Sequence, residues 1–495
     1  MLEYIVTSDT VTLYWDLPKS YQKGDTYTIT AKGETLANLE QCHYTVTGLK
    51  PQTEYTFSVT MNDESLGEVT VTTEAVKRDI DITKAPYLAV GDGKTMNTEA
   101  IQRAINDCTA DARVYIPAGE FMTGALFLHS DMELYLEKDA ILHGTGAYQD
   151  YEPKIKSRFE GTEMMCYASL LNLGELDREK GINCQNVRIC GEGTIWGGGQ
   201  VLRRNIIDRE KILLKEYMES LGDKILECEN METIPGRARG RLINISCAKD
   251  VEIFGLTLKE GPCWNVHMIY SDHIVTHNCT FVSRGISNGD GWDPDSSTNC
   301  TLFGSVFDTG DDAVAIKSGK NPEGNIVNIP CEHIRVFDCV SHFGHGITIG
   351  SEMSGGVSDV RVWNCDMGTS TYGVEIKGTK KRGGYVKDVH VSYSKVCRIL
   401  LHSVGYNDDG EGAPTAPIFE DCSFENMEIT AVMQSREGEI AECEAIEVSG
   451  FDEPGHDAKN IRFKNIVIGK EGLNRRQSVY LQCCDGVSLE NICCR

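Results

Sequence analysis

No run of ~18 apolar residues occurs in the 495-residue chain, which removes the signature of a membrane-spanning helix. Positive charge is also scarce: 48 lysines and arginines face 74 aspartates and glutamates, a formal charge of −26. Nucleic acids and anionic membranes reward basic surfaces, so neither is an expected partner, and an acidic substrate needs a locally basic site. The first residues, MLEYIVTSDTVTLYW, have no basic stretch leading into a continuous apolar core, so a cytoplasmic location is expected. Cysteine is abundant, with twenty residues, but no pair has the C-x-x-C spacing of a zinc ribbon, and doublets occur only at Cys483-Cys484 and Cys493-Cys494. Reduced, buried thiols are therefore expected, rather than a disulfide framework or a zinc site.

Two kinds of pattern are present. Residues 1–77 alternate as strands do (TVTLYWDL, TYTITAKG, EYTFSVTM, GEVTVTTEA), with Gly, Pro, Asn and Asp turns between them. They predict a small β-sandwich with Trp15 in its core. GLKPQTEYTFSV, Gly48 to Val59, resembles the corner of fibronectin type III domains, with Tyr55 as the corner tyrosine. From residue 78 to 495 the chain changes character. After a helix capped by Asn97 or Thr98, short β-branched runs recur without two-residue hairpin turns. Runs starting at Val251, Ile274, Thr301, Ile334, Val360 and Val389 are spaced by 23, 27, 33, 26 and 29 residues. A strand-only repeat of that length, one unit per coil, predicts an all-β solenoid, a right-handed parallel β-helix. Asn278, Cys279, Cys339, Asn364, Cys365 and Cys422 follow apolar runs and are expected to stack as internal ladders.

Five aspartates crowd NGDGWDPDSS (Asn288 to Ser297) and TGDDAVAIKSG (Thr309 to Gly319). Each alone is a turn former, and a calcium site of oxygen ligands is a further option. The spacing favours chemistry. Asp290 and Asp311 lie 21 residues apart, about one coil, so they fall on neighbouring strands ~4.8 Å apart. Gly310 permits a bend that presents Asp311 and Asp312 to one groove, and GHG, Gly344 to Gly346, adds His345 from the following coil. The two glycines suggest close approach by a ligand backbone or ring. Carboxylates on successive coils suit inverting glycoside hydrolysis, in which an acid protonates the leaving oxygen and a base activates water.

With these motifs in place, residues from about 84 onward resemble the polygalacturonases of glycoside hydrolase family 28. NGDGWDPDSS, GDDAVAIKSG, GHGITIG and GVEIKGT stand in that family's order. The long forms of the first two, with the N-terminal sandwich, resemble exo-acting bacterial members. The resemblance implies Asp311 as general acid, Asp290 and Asp312 as the pair holding the water, and His345 as support for the acid's protonation. It also implies substrate contacts from Asn288, Lys317 and Lys377, with Lys377 facing a uronate carboxylate. Two departures stand out: Gly289 replaces a usual Thr, and Glu375 replaces an Arg that grips a carboxylate. A substitute base is sought among Arg158, Arg237, Arg239, Arg241, Lys380, Lys381 and Arg382. Trp264 and His267 in GPCWNVHMI are candidates for a sugar platform and a hydrogen-bonding group, Trp264 being equally suited to the core.

The expectation is a fibronectin-like sandwich (1–77) followed by a β-helix (78–495) that hydrolyses α-1,4-linked galacturonides of pectic oligosaccharides from chain ends. No metal and no cofactor are expected, because acid and base are both carboxylates. Hydrolysis of another pectic linkage, as in rhamnogalacturonan, is the alternative that Glu375 favours. A pectate lyase and a non-catalytic glycan-binding helix are the rivals from other classes.

Overall fold

A computed structural model describes residues 2–435, 437–469 and 478–494. It contains two compact units, Met1–Asp79 with Asp111–Arg113, and Ile80–Ala110 with Val114–Arg495. In the first, seven strands form an antiparallel sheet of three and one of four. Trp15 is buried, and its ring meets Tyr27 edge-on at 5.1 Å. Tyr55 Oη accepts the backbone N–H of Lys50 at 3.0 Å, tying strand Glu54–Met61 to the turn before it as the corner pattern predicts.

In the second unit strands stack in parallel, coil upon coil. One interior row runs Leu302, Val336, Val362, Val391, Phe424, Phe463, each residue in register with the next. Alternation along each strand explains why such rows form: inward positions are apolar and outward ones polar. Parallel register then places like on like, and aromatic rings stack accordingly. Phe254, His277, Phe303, Phe337 and Trp363 form a column with centroid spacings of 4.8, 4.8, 5.0 and 4.4 Å.

The cysteines are free, sixteen of the twenty buried. Cys279, Cys339, Cys365 and Cys422 lie inside the coils. The asparagines do not: Asn278 and Asn364 occupy left-handed corners at φ of 51° and 53°. Asn278 is exposed, and Asn364 Nδ2 donates to Asp338 on the preceding coil. Asn tolerates that conformation, so the ladder runs along a corner rather than through the core. Helix Thr98–Asn106 forms as expected with Asn97 at the N-cap position, where its carbonyl accepts from Ile101 N but its side chain makes no cap hydrogen bond. Its side chain instead accepts from Val90 N and donates to Val90 and Thr95 carbonyls. A helical insertion, Gly199–Leu213, Lys215–Ser220 and Thr233–Gly236, interrupts the strand pattern.

Removing one ring from the column should leave a cavity that its stacked neighbours cannot fill. Phe303→Ala is predicted to cost ~3–5 kcal/mol of stability, read from the shift of a urea unfolding midpoint. A loss below ~1 kcal/mol would show that the column contributes little.

Candidate active site

The site is built where coil stacking brings three sequence motifs into register. Gly291 N donates to Asp312 O at 2.9 Å, so Asp290 and Asp312 sit on adjacent coils, and His345 N donates to Asp311 O at 2.9 Å from the coil after that. Gly310 is required by this stacking, since a Cβ there would lie 2.2 Å from Ile286 O. Gly289 lies under the same segment: a Cβ would meet Ile286 O at 2.7 Å, which leaves no room for a threonine. Gly344 and Gly346 were expected to admit a ligand. Their added Cβ atoms would instead meet Thr309 Oγ1 and Gly373 O at 2.2 Å, so neighbouring coils impose both glycines.

Asp290, Asp311, Asp312, His345, Asn288, Lys317, Glu375 and Lys377 all line one cavity of about 380 Å³. His345 Nδ1 lies 2.8 Å from Asp311 Oδ1 and 3.2 Å from Asp312 Oδ1. Asp312 Oδ1 also accepts from Thr348 Oγ1 at 2.7 Å. Burial disfavours an imidazolium, yet the adjoining Asp311 and Asp312 carboxylates outweigh it and raise the His345 pKa to about 9. Asp290 is 3% exposed, and burial pushes its carboxyl well above the ordinary range, opposed by the Lys317 ammonium 3.2 Å away. Asp290 Oδ1 takes no hydrogen bond from any described residue. Lys317 also pairs with Asp293 at 2.7 Å, and burial raises that carboxyl to about 6.

Three expected substrate contacts are buried: Trp264, His267 and Arg239. Trp264 borders the cavity but is 2% exposed, its ring stacked on Phe159 at 4.8 Å with Lys317 Nζ 3.5 Å from its centroid. Covered in this way, it cannot serve as a sugar platform. His267 is wholly buried beside Asp295 at 3.4 Å, and burial lowers its pKa to about 3, so it is a neutral core group. Arg239 is buried, donating to Gly236 and Ser287 carbonyls and to Asn288 Oδ1 at 2.8 Å. It acts on the cavity only by orienting Asn288.

The search for a base to replace the missing arginine also ends away from the cavity wall. Arg158 pairs with Asp295 at 2.9 Å, and Arg237 with Glu160 at 2.8 Å and Asp409 at 2.9 Å. Arg241 donates to the carbonyls of Arg239 and Arg158, and Arg382 to Ser351 O and Asn321 Oδ1. Lys380 and Lys381 face Glu453 and Glu227. The sequence did not point to His402 or Tyr406, which line the cavity beside Glu375 and Lys377. The available signal was register: His402 sits one coil beyond Lys377.

One side of the cavity is walled by loops. Glu229, which follows the helical insertion's 3-10 turn, donates its N–H to Asn407 Oδ1 at 2.8 Å, and Asp408 N donates to Glu227 O at 3.1 Å. Glu229 and Asn407 both line the cavity.

Residues 3–75 match the fibronectin type III domain. An exo-poly-alpha-D-galacturonosidase of Dickeya chrysanthemi is 31% identical over 68% of this chain and 59% of its own length. A probable polygalacturonase of Vitis vinifera is 34% identical over 68% of this chain and 66% of its own. The fold is similar to that of a Yersinia enterocolitica family 28 exopolygalacturonase, with a TM-score of 0.82, 22% identity and coverage of 99% and 96%. A Thermotoga maritima exopolygalacturonase aligns with a TM-score of 0.69 at 24% identity, covering 85% of this chain and 93% of its own. Residues 139–407, which hold every motif of the cavity, match the glycosyl hydrolases of family 28, and the chain belongs to that family.

Proposed function

We propose that the protein is an inverting, exo-acting hydrolase of α-1,4-linked galacturonides in pectic oligosaccharides. The observation that carries this is the convergence of Asp290, Asp311, Asp312 and His345, from successive coils, on one cavity. Inverting hydrolysis needs a carboxylic acid to protonate the leaving oxygen and a carboxylate to take a proton from water on the opposite face. Asp311 has the acid role. Its Oδ1 lies 2.8 Å from His345 Nδ1, which is placed to hand it a proton, and the imidazolium keeps that proton to about pH 9. Asp290 and Asp312 accept the water's proton. Burial makes Asp290 a stronger base than an exposed carboxylate, the Lys317 ammonium opposes that rise, and its Oδ1 has an unused acceptor position. As the water oxygen bonds to the anomeric carbon, the glycosidic bond breaks and the departing oxygen takes the Asp311 proton. A proton leaves the water for the aspartate pair, so the balance closes without a cofactor.

Exo action is supported by the loop contact in which Glu227 and Glu229 meet Asn407 and Asp408, since Glu229 and Asn407 line one side of the cavity. The names of the Dickeya and Yersinia proteins support the same mode. Hydrolysis of a mixed pectic linkage is the second reading, favoured by Glu375 in the cavity wall.

Asp311→Asn removes the proton donor while preserving shape. Turnover of galacturonide oligomers should fall by at least ~10²-fold with thermal stability unchanged. Turnover retained by a normally folded variant would move the acid elsewhere. The proton held by the Asp311–His345 pair also fixes a pH limit. Because the histidine pKa is raised above its ordinary value, the proton is present below, and lost as pH rises through, about 9. The alkaline limb of kcat/KM should therefore fall near pH 9 and move toward neutrality in His345→Asn. An unmoved limb would show that His345 plays no part in holding that proton.

A further inference from the structure

The wall formed by Glu375, Lys377, His402 and Tyr406 carries a charge pattern that the catalytic aspartates do not need. Strand Gly373–Gly378 turns Val374 and Ile376 into the coil and presents Glu375 and Lys377 together on the cavity side. The next coil, Ile399–Ser403, brings His402 into register with Lys377. Glu375 is 3% exposed: Oε1 accepts from His402 Nε2 at 2.8 Å, and Oε2 lies 3.0 Å from Lys377 Nζ. One coil further, Glu447 Oε1 lies 3.6 Å from His402 Nδ1. Charge thus alternates over three coils: Lys377 positive, Glu375 negative, His402 positive, Glu447 negative. Burial opposes ionisation of Glu375 and His402. The opposite charges prevail, drawing Glu375 to about 2 and lifting His402 to about 9, so the row is fully charged and balanced at neutral pH.

A balanced row is a poor seat for another anion. The pull of Lys377 on an arriving carboxylate is offset by the repulsion of Glu375, which lies beside the same ammonium. The other bases lining the cavity are also committed, Lys317 to Asp290 and Asp293, His345 to Asp311 and Asp312. Glu160, Glu229 and Glu352 add further carboxylates to the lining. Glu375 keeps one capacity unused. Its Oε2 is buried against Lys377, whereas Oε1 takes a single hydrogen bond from His402 and has a second acceptor position for a hydroxyl in the cavity that Glu375 lines.

We propose that Glu375 is a specificity-determining residue: the sugar unit seated against it is uncharged, and Glu375 accepts a hydrogen bond from one of that unit's hydroxyls. Lys377 and His402 hold the carboxylate in place for that contact. In a pectic chain an uncharged unit is either a methyl-esterified uronate or a neutral sugar such as rhamnose. The inference rests on the pectic hydrolase reading above and narrows its substrate.

The test is initial-rate kinetics of wild type, Glu375→Gln and Glu375→Arg on three probes: free-acid oligogalacturonides, their methyl esters, and rhamnogalacturonan oligosaccharides. Wild type should show kcat/KM roughly tenfold higher on one of the two uncharged-unit probes than on the free acid, and the better probe identifies the source. Glu375→Gln should raise KM for that probe more than it lowers kcat, and Glu375→Arg should reverse the preference toward the free acid. Because these variants can disturb Lys377, calorimetric binding of the same probes to Asp311→Asn ranks them against an unaltered wall, and the same order is expected. A wild type that favours the free acid, with a ratio that Glu375→Arg leaves unchanged, overturns the inference while the pectic reading stands. Hydrolysis of none of the three overturns that reading, and the inference with it.

Discussion

Hydrogen bonding between successive parallel coils is the constraint on which the rest of the structure depends. Strands so paired lie ~4.8 Å apart, so residues distant in sequence come into contact whenever they share a register position. Asp290, Asp312 and His345 meet for that reason, and so do Lys377 and His402. The glycines around the catalytic groups answer to the same constraint. Side chains at Gly310, Gly344 or Gly346 would drive Cβ atoms to within 2.2 Å of the adjoining coil. The aromatic column formed by Phe303 and its neighbours is its counterpart in the core.

Charge compensation within the cavity is the second organising feature. A chain of formal charge −26 places several carboxylates around one small pocket, and Asp290, Asp311, Asp312 and Glu375 among them each have a specific cationic neighbour. Lys317 spans Asp290 and Asp293, His345 spans Asp311 and Asp312, and Lys377 with His402 brackets Glu375. Buried ions tolerate their desolvation only when paired in this way. The consequence is a cavity whose charged groups are held by specific partners from neighbouring coils. The consequence for recognition is that the arginines suggested by the sequence are already committed to internal partners, as Arg158 is to Asp295 and Arg237 to Asp409.

Much of this was legible in the sequence because the period of the fold is the period of the motifs. The 21-residue interval from Asp290 to Asp311 and the strand alternation around Glu375 and Lys377 predicted their juxtaposition. Tyr55 and Trp15 were legible for a similar reason, since the corner sequence states its own geometry. What escaped depends on depth and on partners that composition does not encode. Trp264, His267 and Arg239 have the chemistry of sugar-binding groups, but Phe159, Asp295 and Asn288 cover or occupy them. His402 escaped because its partner Glu375 lies one coil away, and no local pattern marks it. The helical insertion that shapes the cavity wall escaped because the strand repeat dominated the pattern around it.

The central claim is that these stacked carboxylates hydrolyse a pectic chain from its end by direct attack of water. Proton NMR of the first products from a pectic oligosaccharide of defined length addresses it most directly. The account predicts release of a terminal unit whose anomeric configuration is inverted to β before mutarotation sets in. Products that retain the α configuration, or early fragments cut from the chain interior, would contradict it.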